Sequence, residues 1–262
     1  VRTALTIAGS DPSGGAGLQG DLKTFTVHDV YGMAVPTALT VQNTQGVRAV
    51  HDVPPAFVAA QLDAIFDDIP VHAAKTGMLS VIPTIEAIAE VLERRGVPPL
   101  VVDPVMVATS GDALLEDEAV ETLLRRLFPI AALVTPNLPE AERLCGFPIE
   151  TESHMERAAQ ALVARGAPAV LIKGGHLEGD AIVDLLYANN EFVAFRDTKI
   201  NTQHTHGTGC ALAAAIAANL ALGKEMPDAV ERSRQFVRRG ILLAEAVGKG
   251  NSPLNHLARP PQ

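Results

Sequence analysis

The sequence predicts an α/β fold built on a mainly parallel sheet with helices on both faces. Three observations predict it. Strand-like and helix-like patterns alternate along all 262 residues, as they do in chains of successive βα units. Hydrophobic residues make up 47% and charged residues 19% of the chain, the balance of a packed globular core. Residues with chemical character recur just after the strand-like runs, where open parallel sheets bind ligands.

In order, "TALTIA" at 3–8 reads as a buried strand and 17–30 as the helix after it. Residues 32–43 are strand-like, with Pro36 marking an edge or a bulge. "GVRAVHDV" is a further short strand, and the next helix opens at Pro55, a favoured first-turn residue. "VHAAKTGM" and "PLVVDPV" are strands separated by a helix whose apolar face is Ile85, Ile88, Ala89 and Leu92. Val120, Leu123, Leu124 and Leu127 form the same kind of face before the strand "AALVT". A helix near 155–165 precedes the strand "AVLIK", and "AIVDLLYA" and "EFVAF" read as a hairpin turning at "NN". Two helices, 207–222 and 227–246, close the chain. No repeat or linker divides it, so residues 1–262 read as one domain.

The formal net charge of −9 argues against general attraction to nucleic acid or an anionic membrane. Two cysteines, Cys145 and Cys210, do not make a disulfide scaffold, and no signal-peptide pattern opens the sequence. A cytoplasmic protein is expected. The longest uncharged run, 207–223, is alanine-rich and short for a bilayer, so it reads as a helix buried in the protein.

Six segments converge on the predicted strand ends: "GSDPSGG", "VQNT", "KTGM", "VDPVM", "TPNLPEA" and "KGGH". At the last long helix, Gly207, Thr208 and Gly209 allow close backbone approach, and free N–H groups with the helix dipole favour an anion. Thr208 is placed either to cap the helix or to bond a phosphate. Cys210 falls in the first turn, where the helix field is expected to lower its pKa and make it a base or nucleophile. Asp103 and Glu140 follow different strands and are candidates to hold Mg²⁺ beside phosphates, and Lys173 to neutralise one. "GAGLQG" satisfies G-x-G-x-x-G, but it starts six residues beyond the strand and lacks the acidic residue after the next one. A Walker A reading from Gly9 fails because Gly15 and Ala16 stand where Lys and Ser/Thr are needed. His204, His206 and Cys210 lack a recognisable fourth metal ligand, and the histidines read as solvated loop residues.

"ALTIAGSDPSGGAGLQGDLKTF", "QNTQGV", "KTGML", "VVDPVM", "SGDALL", "TPNLPEA", "LIKGGH" and "NTQHTHGTGC" together resemble the hydroxymethylpyrimidine and phosphomethylpyrimidine kinases, members of the ribokinase-like superfamily. The resemblance runs in order from about residue 3 to 256. It implies a three-layer α/β/α fold, phosphoryl transfer from ATP with Mg²⁺, and a homodimer. It further implies that "GTGC" forms an anion hole with Cys210 as base. By the same resemblance Gln42 bonds a pyrimidine, Gly9, Asp21 and Met78 belong to its pocket, and Asn137, Glu140, Lys173 and Thr208 lie on the ATP side. The opening loop then wraps a vitamin precursor rather than ATP.

The expected reaction is phosphorylation of 4-amino-5-hydroxymethyl-2-methylpyrimidine and then of its monophosphate. Pyridoxal kinase is the nearest rival, since both substrates are flat rings bearing a hydroxymethyl group. A noncatalytic vitamin-binding protein and an NAD-dependent oxidoreductase are rivals from other classes.

Overall fold

The computed structural model describes residues 1–107, 117–175 and 181–259. Its elements are β1 (Thr3–Ser10), α1 (Gly17–Val27), β2 (Tyr31–Asn43), β3 (Gly46–Asp52), α2 (Pro55–Asp68), β4 (Ala73–Thr76), α3 (Ile82–Arg95), β5 (Leu100–Val102) and α4 (Asp117–Arg126). The chain continues through β6 (Leu133–Val134), α5 (Leu138–Cys145), α6 (Glu152–Ala164), β7 (Ala169–Ile172), β8 (Ala181–Ala188), β9 (Glu191–Thr198), α7 (Thr208–Ala221) and α8 (Met226–Leu242). The motif "SGDALL" and His176 of "KGGH" lie outside the described residues.

The described strands form one sheet in the order β3-β2-β1-β4-β5-β6-β7-β8-β9. From β2 to β7 every pairing is parallel, while β3 at one edge and β8 and β9 at the other are antiparallel. Alternation along the buried strands sends side chains to two cores. Leu5 and Ile7, Leu100 and Val102, and Val170 and Ile172 pack with α2 to α6 on one face. Ala4, Val101, Ala169 and Leu171 meet Phe25 of α1 with α7 and α8 on the other. This gives three layers, α/β/α. The alanines of α7 are buried from Ala211 to Ala218, and small side chains let that helix lie close to the sheet. Among the described residues no helix is long and apolar enough to cross a membrane.

Two local readings are resolved at the edges. Pro36 pairs with Ala8 just before the β1–β2 register slips, so the proline adjoins a bulge. Asn189 and Asn190 both have positive φ (52° and 63°), the backbone of a tight hairpin turn between β8 and β9. After the slip, β2 runs past the end of β1 and continues as an antiparallel flap with β3. "VQNT" is therefore strand and flap tip rather than a loop closing the sheet edge.

Candidate active site

Strands β1, β4, β5, β6 and β7 deliver Gly9, Lys75, Asp103, Asn137 and Lys173 to one cleft of about 1000 Å³. Its first wall is the loop after β1, which Asp11 organises. Asp11 Oδ1 accepts from the Ser13 amide (2.9 Å) and hydroxyl (2.7 Å). Its Oδ2 accepts from the Ala16 amide (2.9 Å) and meets His206 Nε2 at 2.8 Å. Burial alone would raise the Asp11 carboxyl, but the bonds to His206 and Ser13 hold it below the ordinary carboxylate value. Met78 lies against Gly9, where an added Cβ would stand 3.0 Å from its sulfur. Thr40 Oγ1 of the flap donates to the Ser10 carbonyl (2.8 Å), and Gln42 lines the cleft beside it.

The start of α7 joins this wall to the opposite one. Gly207 is the N-cap, with φ 75°, and a Cβ there would collide with the Gly15 carbonyl oxygen. At Gly209 a Cβ would lie 3.3 Å from Lys173 Nζ. No side chain caps the helix. Thr208 spends its amide (3.3 Å) and its hydroxyl (3.0 Å) on the Thr205 carbonyl. The first-turn donors left to an anion are thus the amides of Gly209 and Cys210.

Cys210 is half-buried on the cleft wall. Burial pushes its thiol above the ordinary value, and the Asp21 and Asp103 carboxylates add to the rise. Lys75 and a hydrogen bond from the Gly17 amide oppose it without cancelling it. Lys75 is itself fully buried and pairs with Asp21 Oδ2 at 2.8 Å, which also accepts from Thr6 Oγ1 at 2.6 Å. Burial works against the ammonium, yet Asp21, Cys210 and Asp103 hold its pKa well above the ordinary value.

On the far wall Asp103 Oδ1 accepts from Lys173 Nζ (3.0 Å) and Thr135 Oγ1 (3.1 Å). Asn137 and Glu140 form a reciprocal cap on α5: Asn137 Oδ1 accepts the Glu140 amide (2.9 Å) and Glu140 Oε2 accepts the Asn137 amide (2.8 Å). Burial pushes Glu140 up to about 7; Asp103 adds to this, while Lys173 and the amides of Asn137 and Met106 oppose it. Because the folded value lies above the unfolded one, the stability linked to Glu140 is fully present below about pH 4.5 and is lost as pH rises through about 7. Glu140→Gln removes that fall, as melting temperature against pH between about 5 and about 7.5 will show. An unchanged slope in the variant would assign the fall to another group.

A stretch near the C-terminus ties these parts together. The Asn251 amide donates to the Thr44 carbonyl (2.8 Å) at the flap tip, and the His206 amide to the Ser252 carbonyl (3.2 Å).

The model of the phosphomethylpyrimidine kinase family matches residues 11–255. The chain belongs to this family. It is 51% identical, over 97% of its length, to a thiamine biosynthesis bifunctional protein of Geobacter sulfurreducens, and spans 52% of that longer protein. It is 49% identical to a hydroxymethylpyrimidine/phosphomethylpyrimidine kinase of Rhizobium meliloti, covering 98% of this chain and 97% of the other. The structure is similar to a Bacillus subtilis pyridoxal kinase solved as an ADP complex, with TM-score 0.91, 37% identity and 98% coverage of both chains. The fold is ribokinase-like and the family's chemistry is that of a kinase, a phosphotransferase.

Of the positions singled out in the sequence, this kinase-family chain brings Gly9, Gln42, Met78, Asp103, Asn137, Glu140, Lys173 and Gly207 to Cys210 onto the cleft. Asp21 is the exception: it is fully buried beneath the wall, where its carboxylate holds Lys75. The thiol shift is the second correction, since burial and two carboxylates outweigh the helix field that was expected to lower it. His206 is the third, for it is buried and bound to Asp11 rather than solvated. Asn137 and Glu140 begin a helix rather than a loop, and the N-x-x-E spacing of a capping box was the signal for it. Lys75 heads the segment "KTGM", but nothing local in the sequence signals its pairing with Asp21. Among the described residues no group of three or more His, Cys, Asp or Glu residues is arranged to hold a metal ion by itself.

Proposed function

We propose that this chain transfers the γ-phosphoryl group of ATP to the hydroxymethyl oxygen of 4-amino-5-hydroxymethyl-2-methylpyrimidine, and then a second one to the monophosphate. The observation that carries this reading is the uncapped start of α7, which touches the Gly9–Gln42–Met78 side at Gly207 and the Asp103–Lys173 side at Gly209. A phosphoryl group in flight between the two sides meets the Gly209 and Cys210 amides. The substrate hydroxyl attacks phosphorus, its proton passes to the Cys210 sulfur in the thiolate form, and ADP leaves. Gln42 and Met78 receive the ring, with Gly9 leaving room beside Met78. Asp21 acts from beneath, through Lys75.

On the nucleotide side Lys173 meets phosphate oxygens, and Asn137 offers its side-chain amide nitrogen, since its oxygen is taken by the helix cap. Thr208 shapes the turn instead of donating to phosphate, because its hydroxyl hydrogen goes to Thr205. Asp103 and Glu140 fit Mg²⁺ as hard carboxylate donors, with water and phosphate oxygens completing the shell. Bound with ATP, the ion would neutralise phosphate charge. We read the chain as one domain, a cytoplasmic protein and a homodimer. Leu39 and Val41, apolar and exposed on β2, support the last point.

Pyridoxal phosphorylation is the second reading, favoured by the close similarity to the Bacillus subtilis pyridoxal kinase. The test offers ATP, Mg²⁺ and each substrate in turn and follows the products by mass. Monophosphate and then diphosphate from the pyrimidine are expected. Phosphate on pyridoxal alone would move the function to vitamin B6, and binding without product would leave a vitamin-binding protein.

A further inference from the structure

Beside Lys173, on the wall of the same cleft, lies a charge cluster centred on the buried pair Asp184 and Arg234, to which the proposed reaction assigns no step. Asp184 of β8 accepts the Gly174 amide at Oδ1 (2.9 Å) and Arg234 Nε at Oδ2 (2.7 Å). Arg234 of α8, equally buried, also donates to Asp197 (2.9 Å) and Glu231 (3.2 Å) and lies over the Phe195 ring at 5.3 Å. Gly174 follows Lys173 directly. On the other side the Lys173 amide donates to the Pro136 carbonyl (2.9 Å). The peptides around Lys173 are thus held from both directions, by Pro136 and by Asp184. A Cβ at residue 174 would collide with the Val183 carbonyl oxygen, so the strand carrying Asp184 is packed directly on this turn.

We propose that Asp184, gripped by Arg234, is a positioning residue that sets the Lys173 ammonium against Asp103 and the phosphoryl path. The inference rests on the reading that Lys173 meets ATP phosphates. A lysine stem has many rotamers, and its reach to Asp103 Oδ1 depends on where its backbone starts. Asp184 defines that start. The guanidinium prevents the carboxylate from turning away from Gly174, because each carboxylate oxygen has its own partner. Isolated burial of two charges gives little net stability, so the kinetic effect of the pair is the informative one.

Asp184→Ala, assayed with saturating pyrimidine, should lower kcat/KM for ATP by about tenfold or more, as a displaced catalytic group does. KM for the pyrimidine should stay near wild type, a split that general loosening of the fold would not give. Asp184→Asn keeps an oxygen for the Gly174 amide but turns an NH2 donor toward the Arg234 Nε–H, so it should recover only part of the loss. Glu231→Gln, which removes only a partly exposed partner of Arg234, should match wild type. If Asp184→Ala does not fold, Arg234→Lys keeps the charge but loses the fork, and a several-fold fall in kcat/KM for ATP is expected.

Lys173→Ala separates the two ideas. If it leaves the ATP kinetics unchanged, the reading of Lys173 itself fails. If it impairs them while folded Asp184→Ala and Arg234→Lys behave as wild type, the positioning role fails. Equal losses in Asp184→Asn and Asp184→Ala would also overturn it.

Discussion

Cys210→Ala slows phosphorylation of the hydroxymethyl substrate by roughly 10²- to 10⁴-fold, the range of a lost general base, and phosphorylation of the monophosphate far less. The first nucleophile is an alcohol that must lose its proton during attack. The second is an ionised phosphate that needs no such help. Because burial, Asp21 and Asp103 push the thiol up, the thiolate is the minor form at neutral pH. The wild-type first step therefore accelerates as pH rises above 7, and the alanine variant loses that dependence. Separate time courses for the two substrates across pH decide it. Equal losses in both steps would mean that the cysteine only shapes the start of α7.

Lys75→Met destabilises the protein by about 3–5 kcal/mol, the cost of leaving one member of a buried ion pair alone. Asp21 would keep only the Thr6 hydroxyl as a neutral donor, and its Oδ1 already lacks a hydrogen-bond partner. This is a large share of the ~5–15 kcal/mol that holds a typical domain folded. The double variant Lys75→Met with Asp21→Asn should recover much of it, because no uncompensated charge remains. Urea unfolding of the four proteins gives the coupling directly. Additive losses would show that the two residues stabilise the fold independently. The variant also removes the positive charge that opposes the rise of the Cys210 thiol, so the alkaline limb of the first reaction should move to higher pH.

The parallel sheet was legible because its strands are short apolar runs, and the β8–β9 turn because two asparagines tolerate positive φ. The cleft was legible because polar residues follow those strands. Asp21 and Lys75 were not read as a pair, since 54 residues separate them and neither carries a local pattern. The same holds for Asp11 and His206, 195 positions apart. Helix α5 was missed although its capping box is local, because two prolines made the segment look like a loop. The Cys210 shift was read with the wrong sign because a helix terminus is visible in sequence and desolvation is not.

The tie between Thr44 and Asn251 has a consequence for the order in which the protein folds. Residues 250–252 hold both the tip of the flap that carries Gln42 and the segment leading into α7. Gly250 lies 206 positions from Thr44, and contacts between such distant parts of a chain reward folding only after a long loop has been closed. The ring pocket is therefore closed by one of the most non-local contacts in the fold. Substrate stabilises only chains in which that contact has formed, so until then the two cores alone hold the protein together.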